Sequence, residues 1–179
     1  MLEWDTKHFG FPVAEVTHES VTNERIEEVD AWCARNRPSC VYFRVPASDS
    51  NSLALAQQHG FRYVDARLDF EKSIDAVRTS PVSFETAVAS DKSALVEIAT
   101  DAFSTQTRFA VDPGFPQEKV AELYTAWVGR SIEGDFDDEV LVKRIGPDPV
   151  GFVTLRREQQ GTAARIGLIA ASAAARGQG

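Results

Sequence analysis

The segment Ile166-Gly167-Leu168-Ile169-Ala170 leads through five small residues into Arg176-Gly177-Gln178-Gly179. The first stretch is short and apolar, which predicts a buried strand. The second is an Arg-Gly-x-Gly loop, whose glycines let backbone N–H groups approach a phosphate closely. A helix N-terminus after such a loop would add partial positive charge. The pattern therefore predicts a strand followed by a pyrophosphate-binding loop, and the alternative is an ordinary strand with an Ala/Gly-rich tail.

The composition is typical of a globular protein. Of the 179 residues, 43% are hydrophobic and 26% charged, and a chain of this length holds one large domain or two small ones. No apolar run approaches the roughly 20 residues that span a bilayer. The start of the chain lacks the basic segment and apolar core of a secretory signal. These features predict a cytoplasmic protein that does not bind membranes.

Charge and cysteine content limit the ligand classes. The net charge is −8 and the pI about 4.9, and the sequence has no basic stripe, which argues against nucleic-acid binding. A polyanionic ligand would have to be bound by backbone amides and a few arginines. Cys33 and Cys40 are too few for a disulfide scaffold and lack the companions of a zinc site. No metal is therefore predicted, and buried thiols are the simplest interpretation.

Period-2 alternation and helical apolar stripes divide the first 72 residues into five elements. In chain order they are strand 11–17, a helix beginning at Thr22, strand 40–45, helix 51–58 and strand 61–72. Thr22 suits the N-cap position, and Gly60 suits the position after a helix end. Residues 75–81 are polar and end in proline, which predicts a linker.

The pattern restarts after the linker. The predicted elements are strand 83–88, a helix capped by Ser90 or Asp91, a long loop 104–115, a helix from Pro116 to Gly134, strands 139–145 and 150–157 joined by a turn at 146–149, and strand 162–170. Proline suits the first helical position, and Gly146-Pro147 suits a hairpin turn. The predicted order is thus strand, two helices, three strands and the phosphate loop.

The loop that begins at Arg176 resembles motif A of the GNAT N-acetyltransferases, Arg/Gln-x-x-Gly-x-Gly/Ala, which binds acetyl-CoA. Arg176 matches its first position and Gly179 its fourth. Residues 51–61 resemble the last helix and Gly-Phe turn of a GNAT domain. The resemblance implies an α/β (α+β) GNAT fold at 79–179, with a central mixed, mostly antiparallel sheet flanked by helices. A partial GNAT-like half-domain at 1–78 would precede it, the alternative being a coincidental helix end.

Six segments are also similar to one branch of this family, the TDP-fucosamine N-acetyltransferases, which act on a nucleotide-linked 4-amino-4,6-dideoxy-galactose. They are Trp4–Val13, Ala102–Phe103 with Arg108–Phe109, Tyr124–Trp127, Gly134–Asp137, Gly151–Arg156 and Ala164–Ala170. The similarity implies direct transfer of acetyl from acetyl-CoA to the 4-amino group of a nucleotide sugar, without a metal, in polysaccharide biosynthesis. Another small amine acceptor, or a non-catalytic CoA-binding module, remains an alternative. A homodimer is compatible with the sequence.

The resemblance also implies site residues. The thioester would lie beside Leu168, Ile169 and Ala170, and the cofactor diphosphate would lie at Arg176, Gly177, Gln178 and Gly179. Asp65 is the implied general base, the alternative being a solvated carboxylate or a partner of Arg67. Arg108 is a candidate for the nucleotide phosphates because guanidinium binds phosphate bidentately, the alternative being a solvent-exposed loop arginine. Phe109 is the second substrate-side candidate, as a pocket wall, the alternative being a core side chain.

The same family takes its general acid, a tyrosine, from a helix that follows the fifth strand of the domain. That region would lie beyond Gly179, so neither Tyr63 nor Tyr124 is assigned the role. We therefore expect residues 1–179 to be a portion of a longer protein, with about 50 to 60 further residues forming two helices and two or three strands.

Overall fold

The computed structural model describes residues 1–17, 20–74, 83–105 and 107–177. The chain divides into two compact units, Met1–Asp65 and Ala66–Gly179. The predicted linker at 75–81 and the predicted boundary at 78–79 lie outside the described residues.

The first unit is built on two parallel strands joined by a helix. Strand β1 (Val13–Val16) pairs with β2 (Cys40–Phe43), and helix α2 (Asn23–Asn36) makes the crossover that a parallel pair requires. Helix α1 (Glu3–Phe9) precedes β1, and α3 (Ser50–Gln58) follows β2. Buried apolar side chains of this unit are Phe9, Val13, Ala14, Ile26 and Ala56.

Local capping explains why α2 and α3 were predictable. The Thr22 hydroxyl accepts a hydrogen bond from the Arg25 N–H at 3.3 Å, and Gly60 follows α3 with a φ of +83° that favours glycine. Helix α1 was not predicted, because seven residues are too few to display an apolar stripe. Its end is marked by Gly10 in the left-handed conformation.

The predicted strand at 61–72 is wrong. Residues 61–74 form neither helix nor strand, and Leu68 and Phe70 are 76% and 90% exposed. An alternating segment becomes a strand only when a neighbouring edge takes its backbone hydrogen bonds. In the described parts of the chain, no strand pairs with this segment.

The second unit contains a four-stranded antiparallel sheet in the order β3-β4-β5-β6. The strands are β3 (Glu85–Thr86), β4 (Glu139–Ile145), β5 (Asp148–Glu158) and β6 (Ala163–Ala171). Strand β3 is shorter than predicted. The hairpin turn is also tighter, because Ile145 already pairs with Asp148 and only Gly146 and Pro147 remain between the strands.

Among the described residues, three α-helices accompany this sheet. Helix α4 (Lys92–Phe103) packs against α6 (Gln117–Glu133) and contacts β5 and β6, while α6 also contacts β4. The predicted loop at 104–115 contains a short helix, α5 (Arg108–Val111), of one turn. The innermost side chains are Leu95, Val120, Leu123, Val128 and Val142. The α/β fold class is confirmed, and an antiparallel sheet flanked by helices in this order is consistent with a GNAT-like fold.

Asp91 stands at the start of α4, as predicted, but its side chain does not cap that helix. Its carboxylate accepts from the Val88 N–H at 3.0 Å and from Arg144 at 2.7 Å. Burial alone would raise the pKa of Asp91, but these hydrogen bonds and the Arg144 charge outweigh it and lower the pKa. Arg144 also donates to Glu85, so one arginine ties α4 and β3 to β4.

Candidate active site

A β-bulge interrupts strand β6 near its middle. Val153 pairs with Ile169, whereas Leu155 pairs with Ile166. Gly167 and Leu168 therefore both face Thr154, which is the two-against-one arrangement of a bulge. The Leu168 N–H donates to Thr154 Oγ1 at 2.8 Å, and Thr154 is fully buried. A side-chain oxygen thus serves as the acceptor at the irregular point of the ladder.

The bulge requires glycine at position 167. A Cβ on Gly167 would lie 2.7 Å from Thr154 Oγ1 and 3.0 Å from Asp137 Oδ1. Asp137 is buried, and its Oδ2 accepts from the Ser131 hydroxyl at 2.6 Å. Two buried oxygens therefore pack directly against the Cα of Gly167, and a larger residue would have to displace them.

Beyond the bulge, β6 presents backbone groups at its outer edge. The Ser172 N–H donates to the Val150 carbonyl at 2.8 Å, so residues 170 and 172 direct their backbone groups toward β5. By the alternation of a strand, Ile169 and Ala171 direct theirs away from β5. Within the residues that the structure describes, no strand pairs with this outer edge.

Arg176 lies directly beside that edge. Its Nε donates to the Ala171 carbonyl at 3.0 Å, and its Nη2 donates to Asp101 of α4 at 2.7 Å. Gly177 follows with a φ of +75°. The structure therefore places Arg176 and Gly177 immediately after the strand that carries Leu168, Ile169 and Ala170. The remaining predicted cofactor residues, Gln178 and Gly179, lie outside the described residues.

The predicted acceptor and base residues lie in other elements. Asp65 is exposed, in the irregular segment at the end of the first unit. Arg108 and Phe109 begin α5, and the Arg108 guanidinium carbon lies 4.5 Å from the centre of the Phe109 ring. Phe109 is only 2% exposed and packs edge-on against Phe115. Phe109 is thus a core side chain, and the half-buried Arg108 covers its ring.

A pocket of about 180 Å³ adjoins the bulge on its side-chain face. Its walls come from α6, the following turn, β5 and β6, and are formed by Trp127, Phe136, Asp137, Arg156, Arg165, Gly167 and Leu168. Sequence reasoning did not find this pocket. Four of the family-like segments contain wall residues, but only the strand register brings those residues together.

Cys33 and Cys40 are half-buried in the first unit, and neither forms a disulfide with a described residue. Burial and, to a smaller extent, the Asp30 carboxylate raise the pKa of Cys33. A raised pKa lowers the thiolate fraction at neutral pH, which does not suit a nucleophile.

A search of the described residues finds no group of three or more His, Cys, Asp or Glu side chains placed to hold a metal ion. Among the helices described, none is both long and apolar enough to cross a membrane.

No protein-family model matches the chain. A curated protein, dTDP-fucosamine acetyltransferase of Escherichia coli O6:H1, is 31% identical over 171 residues. The matched region covers 94% of this chain and 71% of that protein. A match over 94% of the chain extends into both units. This chain therefore belongs to the acetyltransferase family of dTDP-fucosamine acetyltransferase.

Proposed function

We propose that this protein transfers the acetyl group of acetyl-CoA to the 4-amino group of a nucleotide-linked amino-deoxy sugar of the dTDP-fucosamine type. The observation that carries the proposal is the 31% identity with dTDP-fucosamine acetyltransferase over 94% of the chain. The outward-facing edge of β6, with Arg176 and Gly177 at its end, supports it.

In this proposal, the cofactor lies along the outer edge of β6. The backbone groups of Ile169 and Ala171 bind the amide groups of the pantetheine arm as a neighbouring strand would. The diphosphate binds at Arg176 and at the backbone N–H groups of Gly177, Gln178 and Gly179. Glycine at 177 suits this role because its positive φ and lack of a side chain allow close approach. On cofactor binding, the Arg176 guanidinium would release the Asp101 carboxylate and donate to the phosphate oxygens instead.

The proposed chemistry is direct acyl transfer. The sugar ammonium first loses a proton, and the neutral amine then attacks the thioester carbonyl carbon. The new C–N bond forms as the C–S bond breaks. The nitrogen loses its second proton to give the neutral amide, and the departing CoA thiolate takes up a proton and leaves as the free thiol. A backbone N–H of β6 near the bulge would stabilise the oxyanion that develops on the carbonyl. Asp65 is the proposed general base, and it precedes Ala66, the first residue of the second unit.

An acetyl-transfer assay on the full-length protein tests the proposal. The protein is incubated with acetyl-CoA and the dTDP-linked 4-amino-4,6-dideoxy-galactose, and the acetylated sugar and released thiol are quantified. We expect one thiol for each acetylated sugar, and much weaker transfer to amino acids and polyamines. Preferential acetylation of a simple amine would point to a different acceptor. Acetyl-CoA binding without transfer to any amine would point to a non-catalytic module.

A further inference from the structure

Two arginines face each other directly across strands β5 and β6. Arg156 pairs with Arg165 in the register of the sheet, and both side chains line the pocket beside the bulge. Their side chains are 44% and 54% exposed. Like charges placed directly opposite in an antiparallel pair destabilise it. An anion bound between the two side chains would remove that repulsion.

Each guanidinium is oriented by the protein but keeps hydrogen-bond donors available. Arg156 donates through Nη2 to the Phe136 carbonyl, and its guanidinium carbon lies 4.8 Å from the centre of the Phe136 ring. Arg165 donates through Nε to Glu158 at 2.7 Å. Within the described residues, the Arg165 Nη groups and the Arg156 Nη1 group make no hydrogen bond. A guanidinium presents five N–H donors, so both retain a fork that fits phosphate oxygens.

An aromatic wall adjoins the arginines. The rings of Trp127 and Phe136 stack with centroids 6.0 Å apart and an interplanar angle of 15°. The pocket volume of about 180 Å³ is below the roughly 300–1,000 Å³ of sites that enclose a drug-sized ligand. The pocket therefore suits one part of a nucleotide sugar, such as the diphosphate with an adjoining ring, rather than the whole molecule.

The position along β6 separates this pocket from the proposed cofactor diphosphate. Arg165 lies before the bulge, whereas Arg176 lies beyond the end of the strand. At about 3.3 Å per residue, Arg165 is roughly 13 Å from Ile169, beside which the thioester is proposed to lie. One strand could thus hold two diphosphates on opposite sides of the reacting groups.

We propose that Arg156 and Arg165 bind the diphosphate of the nucleotide-sugar acceptor. This inference rests on the proposed function, because it assigns part of the same substrate. The diphosphate of CoA has the same chemistry, so the test must distinguish the two sources. The carboxylates of Glu158 and Asp137 lie near the two guanidinium groups and would compete with the ligand.

Calorimetric titration of the full-length protein with dTDP tests the proposal directly. Arg165→Gln should weaken dTDP binding about tenfold or more, because a charged hydrogen-bond donor pair to phosphate is lost. Arg157→Gln is the matched control. Arg157 follows Arg156 in β5, but its side chain lies on the opposite face of the strand, near Glu139, so the variant removes the same charge outside the pocket. That control should bind dTDP within about twofold of wild type. Circular dichroism checks that each variant is folded.

Two further measurements complete the test. Glu158→Gln removes the carboxylate that holds Arg165 and should tighten dTDP binding. Titration of dTDP into protein saturated with CoA should give the same affinity as without CoA if the sites are separate.

Unchanged dTDP binding in folded Arg165→Gln, or competition between dTDP and CoA, would overturn the assignment. If Arg165→Gln retains the wild-type KM for the nucleotide sugar, the pocket is wrong but the proposed reaction stands. If dTDP binds at Arg165 and no sugar is acetylated, the proposed reaction is wrong.

Discussion

The substitution Gly167→Ala tests whether the bulge in β6 depends on close packing. The added Cβ would lie 2.7 Å from Thr154 Oγ1 and 3.0 Å from Asp137 Oδ1, so buried groups have to shift. Overpacking of this kind costs about 1–3 kcal/mol. Alanine also lowers the conformational entropy of the unfolded chain. Because φ at position 167 is not positive, alanine can adopt it, and this entropic effect stabilises the folded protein by about 0.4–1 kcal/mol. The expected net destabilisation is about 1–2 kcal/mol.

Gly129→Ala is the matched control, because it makes the same substitution with the opposite expected sign. Gly129 lies inside α6, and its added Cβ would meet only the end of the Lys92 side chain, at 3.0 Å. That flexible end can move, so the helix gains about 0.5–1 kcal/mol from replacing glycine by alanine. Urea denaturation at constant pH measures both free energies of unfolding.

The functional consequence follows from the geometry of the strand. A displaced bulge would turn the backbone of Ile169, so Gly167→Ala should also weaken acetyl-CoA binding, while Gly129→Ala should not. If Gly167→Ala is as stable as wild type and binds acetyl-CoA equally well, the bulge is not held by this packing, and the reasoning fails.

Three further substitutions probe other links. Thr154→Val leaves the part-buried Leu168 N–H without its acceptor, so we expect a loss of about 1 kcal/mol and faster exchange of that amide. Equal protection of the amide in Thr154→Val and Thr154→Ser would argue against the bond. Asp65→Asn should lower kcat by about 10² to 10⁴ with little change in acetyl-CoA affinity, and activity within a few-fold of wild type would remove Asp65 from the mechanism. Because the pKa of Asp91 is lowered, its stabilisation is present above the ordinary carboxyl pKa and is lost as the pH falls through the lowered value. Asp91→Asn should therefore cost stability at pH 7 and less at pH 3, and an equal cost at both would contradict the ion-pair account.

Elements with strong local signals were predictable from the sequence. Thr22, Gly60 and Gly134 each mark a helix end through a cap that needs no tertiary contact. The β4–β5 hairpin is marked in the same way by its Gly146-Pro147 turn. Residues 61–72 show the limit of this reasoning. Their alternation predicts a strand, but a sequence pattern does not indicate whether the edge of another strand is available to pair with it.

The residues of the candidate site show the same difference between local sequence signals and tertiary contacts. The placement of Arg176 and Gly177 directly after β6 was predictable, because the strand and these residues are contiguous in the chain. Their role in binding phosphate stays a prediction. Phe109 shows the opposite case, because the sequence left open whether it belongs to the core or to a pocket wall, and only the structure shows that it is buried in the core. The pocket beside the bulge could not be predicted, because Arg156 and Arg165 lie nine positions apart and meet only through the register of two strands.

The bulge is what creates that register. Val153 pairs with Ile169, and a regular ladder continued from that pair would set Arg156 opposite Ile166, with Arg165 on the other face of the sheet. The one extra residue at Gly167–Leu168 shifts the pairing, so that Arg165 stands opposite Arg156 on the pocket face. The same irregularity lies next to Ile169, which directs its backbone toward the proposed cofactor. A single inserted residue, fixed by Thr154 and permitted by glycine at 167, therefore sets both the proposed anion pocket and the proposed cofactor edge. Any substitution that removes the bulge should consequently impair dTDP and acetyl-CoA binding together, whereas Arg165→Gln should impair only the first.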